Sequence, residues 1–426
     1  MIRIINGVTD TAEIFSRSVS ATPPEVEAAV DAVLADVRAR GDAALLDLTE
    51  RFDGVRPASL RVTEEEIEEA FSSCPDEITA ALSLAAANIR EFHSKQLREG
   101  FEFSRGGAVL GQRVLPLASA GLYIPGGTAS YPSTVLMSAI PAHIAGVGRI
   151  VMVTPPGKDG KIAPAILAAA RIAGVTEIYK VGGAQAIAAL AYGTETVKRV
   201  DKIVGPGNIF VATAKKKVFG LVDIDMIAGP SEILVVADGS ADPKNVAADM
   251  LSQAEHDRLA SAVLVCTDAA LAEAVSAELE RQIPLLPRAG IARESVDANG
   301  KIIVVPDVET AVEIANEIAP EHLELCVEEP FRYLGSVRNA GSVFLGAYTP
   351  EALGDYWAGP NHTLPTMGTA RFSSPLSVDE FIKRSSYICY TEEALRAASG
   401  GIAALARSEG LEAHARSVEI RFEGKE

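Results

Sequence analysis

Apolar residues recur in two rhythms along the 426 residues. Up to about residue 98 they return every three or four positions, so that Val26, Val30, Val33 and Val37 fall on one face of a helix. Thr22 is placed to cap that helix, Pro23 to suit its first turn and Glu25 to complete a capping box. From about 115 the rhythm changes. Short apolar runs at 118–124, 149–154, 177–181 and 202–204 predict buried strands, and the stretches at 133–145, 163–173, 184–192 and 208–219 predict helices between them. The alternation resumes with strands at 233–237, 262–266, 302–305, 322–327 and 342–346. Strand and helix alternating at this spacing means parallel sheet covered on both faces. The expectation is an α/β protein of two such units, which meet near Gly229-Pro230-Ser231 and are followed by a helical tail after about residue 380.

Glycines mark the strand ends of the first unit. Pro125-Gly126-Gly127, Val181-Gly182-Gly183 and Gly205-Pro206-Gly207-Asn208 each follow a strand and precede a helix. Ligands of open α/β sheets bind at such ends, where helix N-termini favour anionic groups. The dinucleotide fingerprint G-x-G-x-x-G is absent, and glycine also serves any tight turn. A nucleotide site and ordinary turn chemistry both remain open on these loops alone.

Composition narrows the classes. A chain that is 48% hydrophobic can build a large core. Its net charge of −18 and 5% aromatic content leave no phosphate-tracking groove and few stacking platforms, so no nucleic-acid partner is expected. The one basic run, Lys215-Lys216-Lys217, reads as the solvated face of a helix. Cys74, Cys266, Cys326 and Cys389 share no metal or redox spacing. No secretory signal and no apolar stretch of membrane-spanning length is visible, so a reduced, cytoplasmic protein is expected.

The candidate chemistry lies in four of the histidines. His256, His322, His362 and His414 all stand near carboxylates or carboxamides. Imidazole, carboxylate and amide oxygen together form the ligand set of a catalytic zinc site with open positions. Gln253 continues the apolar stripe of Val246 and Met250, and His256 follows one turn later. Such spacing lets both side chains reach one ion, or lets both bond a neighbouring loop. Glu321 and His322 open a strand, where consecutive side chains point opposite ways. They read as two separate acid–base groups, or as a surface acid and a strand cap. Asp355 and His362 belong to a segment rich in glycine and proline, of the kind that carries function. His414 stands in the tail.

Ordered motifs then extend over nearly the whole chain: Gly121-Leu122-Tyr123-Ile124-Pro125-Gly126-Gly127, Val181-Gly182-Gly183-Ala184-Gln185-Ala186, Val204-Gly205-Pro206-Gly207-Asn208, Gly229-Pro230-Ser231-Glu232, Gln253-Ala254-Glu255-His256-Asp257, Pro320-Glu321-His322-Leu323-Glu324, Gly359-Pro360-Asn361-His362-Thr363-Leu364-Pro365-Thr366 and Glu409-Gly410-Leu411-Glu412-Ala413-His414. In these stretches the chain resembles the histidinol dehydrogenases. The resemblance implies a four-electron oxidation of L-histidinol to L-histidine through L-histidinaldehyde, with zinc and two NAD, in the last steps of histidine biosynthesis.

It also implies residue roles. Gln253, His256, Asp355 and His414 would hold zinc and, with Ser231, His322, His362 and Glu409, contact the substrate. Glu321 and His322 would be the acid–base pair, and Tyr123, Gln185 and Asn208 would contact NAD. The implied fold is two incomplete Rossmann-like parallel-sheet domains with small helical N- and C-terminal additions. Its divisions are an extension over 1–24, a main domain of 25–122 with 230–378, an NAD domain over 123–229, and a tail over 379–426 that reaches the partner of a homodimer with shared active sites. A related dehydrogenase of another small polyol is the alternative, and a zinc hydrolase a more distant one. The glycine-rich strand ends count against the hydrolase, and the stretch from Thr369 to Val378 favours histidinol.

Overall fold

The computed structural model describes residues 2–7, 22–126 and 130–424. Most of the expected extension over 1–24, and Gly127, lie outside the described residues. The strands are β1 (Arg3–Asn6), β2 (Phe101–Arg105), β3 (Ala108–Pro116), β4 (Ser119–Tyr123), β5 (Arg149–Thr154), β6 (Glu177–Lys180), β7 (Lys202–Val204), β8 (Asp223–Ile224), β9 (Glu232–Ala237), β10 (Ser261–Cys266), β11 (Lys301–Val304), β12 (His322–Cys326), β13 (Ser342–Leu345) and β14 (Ile382–Tyr390). Among the described residues these form two parallel sheets and one antiparallel sheet. The five-stranded sheet runs β6-β5-β4-β7-β8 and the six-stranded sheet β1-β11-β10-β9-β12-β13. The central strands β9 and β10 are buried at every position, as strands covered on both faces must be.

Two compact units emerge. One holds both parallel sheets and comprises the residues up to Gln96 with Leu117–Phe381; the other comprises Leu97–Pro116 and the chain from Ile382. The second unit corrects the expectation of a purely helical tail. Its β14 pairs antiparallel with β3, which pairs with β2, and the helices Glu392–Ser408 and Glu412–Glu419 follow.

The N-terminal helices also sit differently from the expected grouping of 25–122 with 230–378. Val30, Val33, Leu45 and Leu48 share a core with Tyr123, Val151 and Ile187, and Ile67, Ala85 and Ile89 share one with Leu122, Met152 and Ile166. They therefore cover the five-stranded sheet. The reason is that the helices Pro132–Ala145 and Gly183–Tyr192 are apolar almost all round, so sheet on one side leaves them needing cover on the other.

Two local expectations are corrected as well. Pro23 itself is the N-cap of the helix Pro24–Arg40, without a side-chain cap, although Val26, Val30, Val33 and Val37 are buried as expected. The Lys215-Lys216-Lys217 run is a solvated face only in part: Lys216 is exposed and Lys217 half-buried, but Lys215 is buried. Val211, Ala214, Lys215 and Val218 lie on the buried side of the helix Ile209–Val218. Lys215 is ion-paired to Asp225 and donates to the Gly205 carbonyl at 2.9 Å.

Candidate active site

The six-stranded sheet collects its chemistry at the N-terminal edge of β9 and β12. These neighbours pair with His322 opposite Ile233, which sets Glu232 beside the entry of β12. One backbone unit then holds both acid–base candidates. The Glu232 N–H donates to Glu321 Oε2 at 2.9 Å, and the Glu232 carbonyl lies 2.9 Å from His322 Nδ1. A carbonyl only accepts, so Nδ1 carries the proton and Nε2 keeps its lone pair. His322 Nε2 is buried without a hydrogen-bond partner, 3.7 Å from Glu351 Oε1.

Glu321 and His322 do not diverge as expected of consecutive strand residues. His322 Nδ1 lies 3.6 Å from Glu321 Oε2, because Glu321 precedes the strand and escapes its alternation. Neither is a surface group. Burial pushes the Glu321 carboxyl well above the usual range and lowers His322.

The helix Pro243–Ala254 forms because Asp242 caps it, accepting from Lys244 N at 2.9 Å, and because Val246, Ala247, Met250 and Leu251 bury one side. That side ends at Gln253, which is 1% exposed. Both amide atoms of Gln253 are buried without a hydrogen-bond partner, contrary to the reading in which it bonds a neighbouring loop. His256 follows just past the helix end, half-buried, its N–H donating to the Gln253 carbonyl at 3.1 Å.

A third element is the short helix Glu351–Tyr356. Four-residue spacing puts Glu351 and Asp355 on one face. His322, Glu351 and Asp355 offer ligand atoms that all lie within 4.8 Å of one another. Burial, and then Glu351, push the Asp355 carboxyl well up. His362 joins from the following loop. Its Nδ1 lies 3.1 Å from the Asp355 carbonyl, and its Nε2 lies 3.2 Å from Thr134 Oγ1 on the helix Pro132–Ala145. Burial lowers His362 to about 4. Asn361 anchors the same loop by donating to the Met137 carbonyl at 2.6 Å. Ser231 is half-buried immediately before β9.

Glu351 was missed by sequence reasoning, although its spacing from Asp355 was a usable signal. So were Glu324, on the same face of β12 as His322, and Asp249, one turn before Gln253. Asp249, Glu324 and Cys326 form a second group of candidate ligand atoms within 4.8 Å. Glu409 and His414 belong to the second unit, where both are exposed.

The residues present suit a zinc ion. A buried amide oxygen without a donor is costly. Gln253 offers such an oxygen, and the chain also supplies imidazole and carboxylate close by.

The five-stranded sheet holds the other candidates, at the C-terminal ends of its strands. The Tyr123 hydroxyl oxygen accepts from Gly183 N–H at 3.1 Å, and burial pushes this phenol up to about 12. Gln185 is buried, with Oε1 unpartnered. Asn208 caps the helix Ile209–Val218, accepting from Phe210 N at 3.1 Å and Val211 N at 3.2 Å. Gly205 has φ +117°, and a Cβ there would collide with the Tyr123 carbonyl oxygen.

Comparison with known proteins settles the family. The family model described as histidinol dehydrogenase matches residues 16–422. The chain belongs to the histidinol dehydrogenase family. The histidinol dehydrogenase of Bacillus licheniformis is 54% identical over 421 residues, covering 99% of this chain and 98% of the relative. That of Geobacillus kaustophilus is 57% identical over 408 residues, covering 96% of each. The crystal structure of histidinol dehydrogenase from Elizabethkingia anophelis superposes with a TM-score of 0.94 at 38% identity, covering 99% of this chain and 98% of that one. The protein is thus an α/β oxidoreductase of a histidine-biosynthesis family. None of its described helices is long and apolar enough to cross a membrane.

Proposed function

We propose that this histidinol dehydrogenase oxidises L-histidinol to L-histidine through L-histidinaldehyde, as a zinc- and NAD-dependent cytoplasmic homodimer. Two observations carry the reading: both amide atoms of the buried Gln253 lack partners, and His322, with its unpartnered Nε2 3.7 Å from Glu351 Oε1, shares one group of candidate ligand atoms with Glu351 and Asp355. Gln253, His256, Asp355 and His414 would hold zinc, which supplies a template for the amine and imidazole nitrogens of histidinol. NAD, held by Tyr123, Gln185 and Asn208 on the 123–229 region, supplies the oxidant for each of the two steps.

The chain's own groups perform the proton chemistry. His322 Nε2 takes the alcohol proton, because the Glu232 carbonyl fixes the opposite nitrogen as the donor. Glu321 activates water for the aldehyde. A carboxylate removed from water is a stronger base, and burial of Glu321 supports that role. Ser231, His362 and Glu409 would orient the substrate. Burial keeps His362 neutral at ordinary pH, so it meets the substrate as a hydrogen-bonding group and not as a charge.

The second unit supports a shared site. Phe101, Phe103, Ile388, Leu405, Leu411 and Ile420 are exposed, and so much apolar surface calls for a partner. A tail that crosses to that partner would deliver Glu409 and His414.

Formation of NADH on addition of histidinol tests the function, with other small polyols as controls. Turnover of another polyol but not histidinol would replace the reading with the related dehydrogenase. Subunit exchange tests the crossed tail. A His414→Ala chain and a His322→Asn chain, each inactive alone, should regain up to about a quarter of wild-type activity when mixed, since one site of each mixed dimer draws neither defect. No recovery with exchange verified would remove the crossed tail.

A further inference from the structure

We propose that Glu324 is a positioning residue of the metal site, a buried carboxyl that ties together the elements presenting Gln253, Asp355 and His322. The proposal rests on the zinc reading above. Glu324 lies inside β12, between β9 and β13, where a strand covered on both faces ordinarily carries apolar side chains. Its neighbours Leu323 and Leu325 follow that rule and are fully buried in the core. Glu324 is 1% exposed. Burying a carboxyl there costs desolvation energy and fills no apolar need.

What the carboxyl gains is a set of ties. His322 and Glu324 share a strand face by the two-residue period. Glu324 Oε1 accepts at 2.8 Å from the N–H of Glu351, the first residue of the helix that carries Asp355. Its carboxyl also faces that of Asp249, one turn before Gln253 on the helix Pro243–Ala254, with oxygens of the two within 4.8 Å, so that a proton shared between them would join the pair. Cys326 Sγ donates to Glu324 Oε2 at 3.8 Å from the same strand. A neighbouring link reinforces the set, because Ser252 Oγ donates to Glu351 Oε2 at 3.2 Å. One side chain thus fixes the helix of Gln253, the helix of Asp355 and the strand of His322 against each other. Outer groups that orient metal ligands in this way commonly contribute tenfold to a hundredfold in metal affinity.

Chelator competition on the purified full-length protein tests the role, with zinc as the probe, well below the unfolding temperature. Glu324→Met keeps the volume and removes both ties; it costs stability, because the Glu351 N–H loses its acceptor, so folding is verified before zinc is added. Its zinc dissociation constant should rise roughly tenfold to a hundredfold. Glu324→Gln keeps an acceptor for Glu351 N–H and a donor for Asp249, so it should restore affinity close to wild type. Zinc affinity unchanged in Glu324→Met, or lost equally in Glu324→Gln, overturns the proposal. Should Glu324→Met not fold, Asp249→Ala decides, because it cuts one tie at a half-buried position; unchanged affinity there overturns the proposal also. His256→Ala, measured in parallel, separates the two levels. Wild-type zinc affinity in that variant removes the zinc reading and this proposal with it. Loss of zinc there beside full affinity in Glu324→Met removes the positioning role alone.

Discussion

The two parallel sheets carry their candidate chemistry at opposite ends and in different materials. The five-stranded sheet works at the C-terminal ends of its strands, largely with backbone. Gly205 crowds the Tyr123 carbonyl, and Tyr123 in turn takes the Gly183 N–H. The six-stranded sheet works at the N-terminal edge of β9 and β12, with buried side chains. Gln253 and His322 Nε2 lack partners, and the carboxyls of Glu321, Glu324 and Asp355 are pushed up by burial. A backbone cradle suits a cofactor that is held and exchanged. A dry cluster of titratable groups suits bond-breaking, because desolvation moves their proton affinities.

The contrast can be broken first at Lys215. Its pairing with Asp225 holds the segment around Gly205, since Asp225 Oδ2 also accepts from Gly205 N–H at 2.7 Å. Lys215→Met should destabilise the protein by about 3–5 kcal/mol, because it leaves Asp225 buried and unpaired. Urea unfolding reads that loss, and a change under about 1 kcal/mol would mean the pair holds nothing together.

Acid should strike the other sheet. The unfolded chain protonates His362 near pH 6.5, whereas the folded protein holds it near 4. Below about pH 6.5 the unfolded state therefore binds more protons. This contribution to stability is lost as pH falls from 6.5 towards 4 and is flat above that window. The loss should be about 1–3 kcal/mol, and His362→Gln should flatten the acid side of the unfolding profile. An unaltered profile in that variant would mean that His362 is not kept neutral by burial.

An effect of similar size belongs to the backbone cradle. Gly205→Ala forces an alanine into positive φ against the Tyr123 carbonyl, which should cost about 1–3 kcal/mol. It should also raise KM for NAD more than KM for histidinol. An equal rise in both would blur the division of labour between the sheets.

Much of this was legible along the chain. The parallel strands and their helices announce themselves because buried runs and one-sided helices leave periodic apolar marks. Lys215 was readable too, since Val211, Ala214, Lys215 and Val218 share one helix face, but three consecutive lysines suggest solvent more strongly. The antiparallel unit was not legible. β2 alternates Phe101-Glu102-Phe103-Ser104 but is only five residues long and exposed throughout, and β14, nearly as exposed, sustains no alternation. The candidate site residues Gln253, His256, Glu321, His322, Asp355 and His362 were picked out through motifs. Glu351, Glu324 and Asp249 were missed because acids in strands and helices usually face water. Only the pairing of β12 with β9, and the packing of two helices on them, brings those acids inside.

The most direct test of the account separates the two half-reactions. His322→Asn and Glu321→Gln are assayed with histidinol and, separately, with histidinaldehyde as the starting substrate. His322→Asn should slow alcohol oxidation by about 10²–10⁴-fold. Glu321→Gln should leave alcohol oxidation nearly intact and slow conversion of the aldehyde to the acid. If both variants fail equally at the aldehyde step alone, with alcohol oxidation untouched in His322→Asn, then His322 Nε2 is not the base that takes the alcohol proton, and the central claim is wrong.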